Sequence, residues 1–132
     1  MKRVLLDTSA YSAFMRNHGV IVEKIQRAVQ ICVTPVVLGE LHSGFLRGSR
    51  LDENRRLLAD FLASARVETL IVDDETSLRY AEILDSLRQA GTPIPTNDVW
   101  IAASAMQHGL WVLTTDAHYR KVAQIGAVVL SP

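Results

Sequence analysis

The chain holds one cysteine, Cys32, so it cannot close an intramolecular disulfide, and a Cys-rich zinc site is excluded with it. Cys32 lies in the apolar run Ile31-Cys32-Val33, where a small buried hydrophobe is the expected role. There is no excess of charge: 14 basic side chains balance 14 acidic ones. A free-standing nucleic-acid binder ordinarily carries a basic surplus, because neutralising phosphates supplies most of its non-specific affinity. Neutrality counts mildly against such a partner, although divalent cations would turn an acidic pocket into a phosphate site. Long apolar runs are missing too. Only Val4, Leu5 and Leu6 separate the basic pair Lys2-Arg3 from Asp7, which is too little for the apolar core of a signal peptide. No stretch approaches the ~18 apolar residues of a spanning helix, so the expected location is the cytoplasm, without a membrane partner. The four histidines, His18, His42, His108 and His118, are scattered and form no His-x-x-x-His pair.

What remains is aliphatic. Apolar residues make up 48% of 132, enough for one domain over residues 1–132 with a buried core. Short apolar runs alternate with helical periodicity. Val4 to Leu6 reads as a strand, followed by helices over 10–16 and 20–30. Ile31 to Val33 reads as a second strand, and Thr34-Pro35 as an N-cap with proline at the first helical position of a helix to about Phe45. A helix over 54–65 is expected to turn Leu57, Leu58, Phe61 and Leu62 inward. Val67 to Val72 reads as a strand. From Asp73 or Asp74 a long helix runs to Ala90, with Leu78, Ala81, Ile83, Leu84 and Leu87 as its apolar positions, and Gly91 stops it. Thr96 or Asn97 would cap a helix from Asp98 to Gln107, closed by His108-Gly109. Leu110 to Leu113 and Ala127 to Leu130 complete the strands, with a short helix between them, and Trp100 and Trp111 are expected in the core. The alternation implies a parallel α/β sheet in a three-layer α/β/α sandwich.

Ligands of open parallel sheets bind beyond the carboxyl ends of the strands. Asp7 directly follows the first strand and Asp116 the fourth, while Asp98 opens a helix that faces the same edge. Each has an ordinary reading. An aspartate between strand and helix commonly serves a turn or cap, and one in a first helical turn is favoured by the helix dipole. Glu40 is harder to dismiss. On its helix it shares a face with Val36, Val37, Leu41 and Gly44, and a carboxylate in an apolar stripe needs a partner or a metal. Taken together, four oxygen donors without a His or Cys cluster suit Mg²⁺ or Mn²⁺. Crowded carboxylates raise one another's pKa, and a divalent cation relieves that repulsion. Such a site activates water and orients a phosphodiester.

These residues resemble the PIN-domain ribonucleases, specifically the VapC-like toxins of type II toxin–antitoxin pairs. The resemblance is carried in order by Asp7-Thr8-Ser9, Glu40-Leu41-His42-Ser43-Gly44, Asn97-Asp98-Val99-Trp100-Ile101-Ala102-Ala103 and Thr114-Thr115-Asp116, and it covers essentially the whole chain. It implies a mainly parallel five-stranded sheet in the order 3-2-1-4-5, and Mg²⁺- or Mn²⁺-dependent hydrolysis of RNA leaving a 5′-phosphate and a 3′-hydroxyl. By position, Asp7 and Asp98 would be the principal metal ligands. Glu40 would complete the set or hold a metal-bound water, and Asp116 would bind a second metal or act through water. Thr114 and Thr8 match the hydroxyls that accompany the last and first acids. Tyr119 departs from the phenylalanine of many members but keeps an aromatic. The implied partners are an RNA substrate, a second copy of the chain in a homodimer, and a cognate antitoxin that blocks the site and supplies DNA binding.

Other readings fare worse against the residues. Arg47, Arg50, Arg55 and Arg56 could steer an RNA backbone, but with Asp52 and Glu53 among them a solvated, partly ion-paired surface is the plainer expectation. Tyr11, Phe14 and Met15 read as helix packing or a dimer contact. A haloacid-dehalogenase-like phosphatase needs a second aspartate where this chain has Ser9, and Lys121 is badly placed for its lysine. A serine hydrolase lacks its Gly-x-Ser-x-Gly turn. The non-enzymatic alternative is a catalytically inert PIN-like or receiver-like partner-binding module, although all four acids are present.

Overall fold

Five short strands dictate the frame, with apolar residues turned to both faces of the sheet. The computed structural model describes residues 3–132. In chain order these form β1 (Arg3–Leu6), α1 (Thr8–Met15), α2 (Gly19–Arg27), β2 (Gln30–Val33), α3 (Pro35–Arg47), α4 (Leu51–Leu62) and β3 (Val67–Thr69). Then come α5 (Asp74–Ala90), α6 (Thr96–His108), β4 (Trp111–Thr114), a 3-10 turn (Ala117–Lys121) and β5 (Ala127–Val129). The sheet runs β3-β2-β1-β4-β5 with every pair parallel, the order that the resemblance implies. None of the described helices is long and apolar enough to cross a membrane.

Strand alternation divides the interior in two. Leu5, Cys32 and Val112 stand level across the three central strands and share a core with Val37 and Leu41 of α3, Ile83 and Leu87 of α5, and Val99 and Ala102 of α6. Val4, Leu6, Ile31, Val33 and Leu113 point the other way, onto Ala10 and Ala13 of α1 and Ile21 and Ile25 of α2. Both faces are covered, so the expected three-layer arrangement holds. Cys32 is buried, as its apolar neighbours imply.

Helix starts fix where the acids point. Thr34 caps α3 through its side chain, with Pro35 at the first position as expected. Thr34 is fully buried, and its hydroxyl accepts the Val37 N–H at 3.4 Å. Thr34→Ala should therefore cost about 1 kcal/mol in a urea melt, loosening the helix that carries Glu40. Asp73 and Thr76 form a reciprocal capping box for α5, and Gly91 and Gly109 close α5 and α6 at φ 69° and 64°, conformations that suit glycine. The start of α6 differs from expectation: its cap is Pro95, which offers no side-chain bond. Asn97 and Asp98 thus lie inside the first turn, and their side chains are free for the site.

Several apolar residues face water instead of the core. Trp111, the first residue of β4, is 48% exposed and lies over Gly126, where a Cβ would come within 2.6 Å of its ring. Trp100 is half-buried and stacks on Tyr80 at 4.1 Å. The expected strand over 67–72 ends at Thr69, because β3 is an edge strand whose only neighbour, β2, stops at Val33; Ile71 and Val72 beyond it are exposed. Leu78, Leu57 and Val20 also face outward, as does Ala81. Helix α4 begins at Leu51, three residues earlier than its periodicity suggests. Met15 is exposed at the end of α1, while Tyr11 packs edge-on against Phe61 at 5.2 Å.

Candidate metal centre

The carboxyl ends of β1 and β4 are adjacent, so the residues that leave them meet. Asp7 leaves β1 and caps α1, and it is only 4% exposed. Its carboxylate accepts the Ala10 N–H at 2.9 Å, the Ser9 hydroxyl at 2.8 and 3.0 Å, and the Thr114 hydroxyl at 2.6 Å. Asp7 is therefore both a cap and a buried anion at the sheet edge. Burial raises its pKa; the hydrogen bonds from Thr114, Ala10 and Ser9 oppose that rise, and the charge of Asp98 adds to it. Thr114, at the end of β4, is wholly buried and also accepts the Asp116 N–H at 2.8 Å, so one hydroxyl ties both aspartates to one strand end.

Asp98 and Asp116 come together from α6 and the 3-10 turn. One oxygen from each and one ring nitrogen of His118 all lie within 4.8 Å of one another. His118 Nδ1 stands 3.2 Å from Asp98 Oδ2 and 3.0 Å from Asp116 Oδ1. The Tyr119 hydroxyl, from a ring that is 1% exposed, donates to Asp98 Oδ1 at 3.3 Å. Burial also raises the pKa of Asp98; the His118 hydrogen bond opposes this, and the charge of Asp116 reinforces it. Burial and the surrounding aspartates together push the Tyr119 phenol well above its ordinary value, so it remains a donor.

Glu40 stands at the flank and outside the tightest group. Its Oε1 accepts the Thr8 hydroxyl at 2.6 Å, and its Oε2 accepts from Asn97 Nδ2 at 3.3 Å. Thr8 follows Asp7 and Asn97 precedes Asp98, so Glu40 is tied to both neighbouring segments. Ser9, Asn97, His118 and the Tyr119 hydroxyl are site groups that sequence reasoning does not single out. Ser9 and Asn97 carry a signal, standing within the quoted motifs. His118 carries only its place two residues after Asp116.

The donors suit a hard divalent ion: carboxylate oxygens from several elements, with mutual repulsion contributing to the raised pKa values of Asp7 and Asp98. Asp98 and Asp116 are the pair best placed to hold it, with His118 Nδ1 as a third donor; Asp7 and Glu40 lie outside this group, linked to it through Thr114 and Asn97.

Comparison with known proteins identifies the family. The family model "PIN domain" matches residues 4–125. Ribonuclease VapC4 of Mycobacterium tuberculosis is 35% identical over 98 residues, which span 74% of this chain and 75% of the relative. Ribonuclease VapC5 of the same organism is 33% identical over 112 residues, 85% of this chain and 82% of the relative. Among solved structures, VapBC-5 of M. tuberculosis, a member of the VapBC toxin–antitoxin family, superposes with a TM-score of 0.77 at 27% identity, covering 98% of this chain and 100% of the other. VapBC2 of Rickettsia felis, solved on a fragment of promoter DNA, gives a TM-score of 0.87 at 20% identity over 97% and 98% of the two chains, a likeness of fold alone.

Proposed function

The chain belongs to the PIN-domain family, and from that premise we propose that it is a metal-dependent endoribonuclease, the toxin of a toxin–antitoxin pair. The observation that carries this reading is the meeting of Asp98, Asp116 and His118, with Asp7 linked to the Asp116 backbone through the Thr114 hydroxyl, in a chain related to proteins named ribonuclease. Residues 1–132 would act as one nuclease domain. Bound Mg²⁺ or Mn²⁺ would supply Lewis acidity and a water acidic enough to attack a phosphodiester.

The chain's own residues have the remaining work. Asp98 and Asp116 would hold the cation, with Asp7 beside them, and Thr114 fixes Asp7 and the Asp116 backbone in one orientation. The Tyr119 hydroxyl sets the rotamer of Asp98, and His118 Nδ1 stands beside both acids as the third donor. Glu40, kept in place by Thr8 and Asn97, is positioned to orient a water or to extend the ligand set. The proposed partners are RNA, a second copy of the chain, and an antitoxin protein that blocks the site.

The test is direct. Purified, antitoxin-free protein should cut RNA with Mg²⁺ or Mn²⁺, leave 5′-phosphate ends, and stop in EDTA. Undiminished cleavage in EDTA would overturn the metal reading. An inert binding module would show neither cleavage nor a cation-dependent change in melting temperature.

A further inference from the structure

A groove of about 480 Å³ runs from the acidic site along α3, lined by Val36, Gly39, Glu40, Ser43, Arg47 and Asn97. Resting on the ribonuclease reading, we propose that this groove seats the unpaired RNA nucleotide beside the bond to be cut, and that Arg47 grips the next phosphate.

The two ends of the groove differ in charge. At one end stands Glu40, tied to Thr8 and Asn97 and so to the segments of Asp7 and Asp98. At the other stands Arg47, seven residues along the helix, or about 10 Å by its rise. Arg47 Nη1 donates to Ser43 Oγ at 3.2 Å, which draws the guanidinium along the groove-lining face of α3. From sequence, Asp52 and Glu53 are expected to neutralise this arginine. They do not: among the described residues Arg47 has no ion pair. An unneutralised guanidinium at the end of a groove that starts at a hydrolytic centre has the chemistry of a phosphate clamp. Arg50, Arg55 and Arg56 do not line the groove.

Gly39 supplies a second, independent observation. It sits inside α3, where glycine is a poor helix former, and a Cβ added there would meet nothing within 4 Å. Packing therefore does not require glycine at this position. What its missing side chain does is leave the groove open beside Glu40. The volume is within the range of small-ligand sites and accommodates a nucleotide, not a base-paired helix. An unpaired loop can offer its base to the Val36 side while its phosphate reaches Arg47.

The experiment measures steady-state cleavage of a labelled RNA hairpin library with a randomised loop, at several salt concentrations with Mn²⁺. Arg47→Ala should raise KM about tenfold with kcat within about twofold, and flatten log KM against log salt by about 0.7, the value of one single-strand phosphate. Arg47→Lys should restore most of the slope. Gly39→Leu should also raise KM while its melting temperature holds or rises, a split that damage to the fold cannot produce. Arg55→Ala, which removes the same charge outside the groove, serves as control. If Arg47→Ala matches Arg55→Ala in KM and slope, the groove proposal is overturned while the nuclease reading stands. It is overturned in the same way if Arg47→Ala weakens only antitoxin binding. A parent protein that cuts no RNA overturns both.

Discussion

Asp7→Asn should lower the rate of RNA cleavage by about a thousandfold, equivalent to ~4 kcal/mol of transition-state stabilisation, and leave the metal-free fold at least as stable. The two halves of this result separate the two roles of Asp7. As a cap, an asparagine oxygen still accepts the Ala10 N–H that Asp7 now accepts at 2.9 Å, and Asn ranks with Asp at that position. The Thr114 hydroxyl can accept from the new amide where it now donates to the carboxylate. What disappears is the anion, whose raised pKa marks the cost of keeping it charged in a buried place. At neutral pH the neutral amide should relieve that cost, so stability and activity move in opposite directions, as is common at functional sites. Single-turnover cleavage and urea melts on the same preparation check both halves. Parent-like cleavage by Asp7→Asn would reduce Asp7 to a helix cap and remove the main support for a metal nuclease.

The frame of the site is readable from sequence, because a short strand apolar on both faces belongs in a covered parallel sheet, and the first polar residue after it lies at the sheet edge. That logic places Asp7 and Asp116. Glu40 is readable for another reason: a carboxylate among Val37 and Leu41 needs partners, and it has them in Thr8 and Asn97. His118 is invisible, since only the geometry of a five-residue 3-10 turn brings its ring back onto both Asp98 and Asp116. The Tyr119 hydroxyl is hidden because its ring satisfies the packing alone, and nothing in sequence says where a buried phenol finds its acceptor. Trp111 and Ile71 show the opposite limit. Hydropathy marks them as core, but it cannot say that a strand's first residue or the segment beyond an edge strand is left in water. Arg47 reads in sequence as neutralised by near neighbours, whereas its hydrogen bond to Ser43, one turn back on α3, holds it along the groove.

Adding Mn²⁺ at neutral pH, at about a hundred times its dissociation constant, should stabilise the protein by ~2.7 kcal/mol, or roughly 10 °C in melting temperature for a chain of this size. The shift should vanish in acid, and the sign follows from Asp7 and Asp98. Both have folded-state pKa values above the ordinary 3.8, chiefly through burial. Between that unfolded value and the raised ones these two groups bind more protons in the folded chain, so their contribution to metal-free stability falls as pH rises through this window, and the loss persists above it; Asp73, whose pKa is lowered by its capping hydrogen bonds, contributes in the opposite sense. Mn²⁺ needs the deprotonated carboxylates and therefore acts where protons have left. Below about pH 4 both aspartates are protonated and the cation has little to bind; at neutral pH it takes the place of the missing protons and recovers the lost stability. Asp98→Asn should remove most of the Mn²⁺ shift while raising the metal-free melting temperature at neutral pH. Differential scanning calorimetry across pH, with and without Mn²⁺, reads all of these quantities. A metal-free melting temperature with the same pH dependence in the parent and in Asp98→Asn would show that burial does not perturb this carboxylate, and an unchanged Mn²⁺ shift in Asp98→Asn would show that it is not a ligand of the cation.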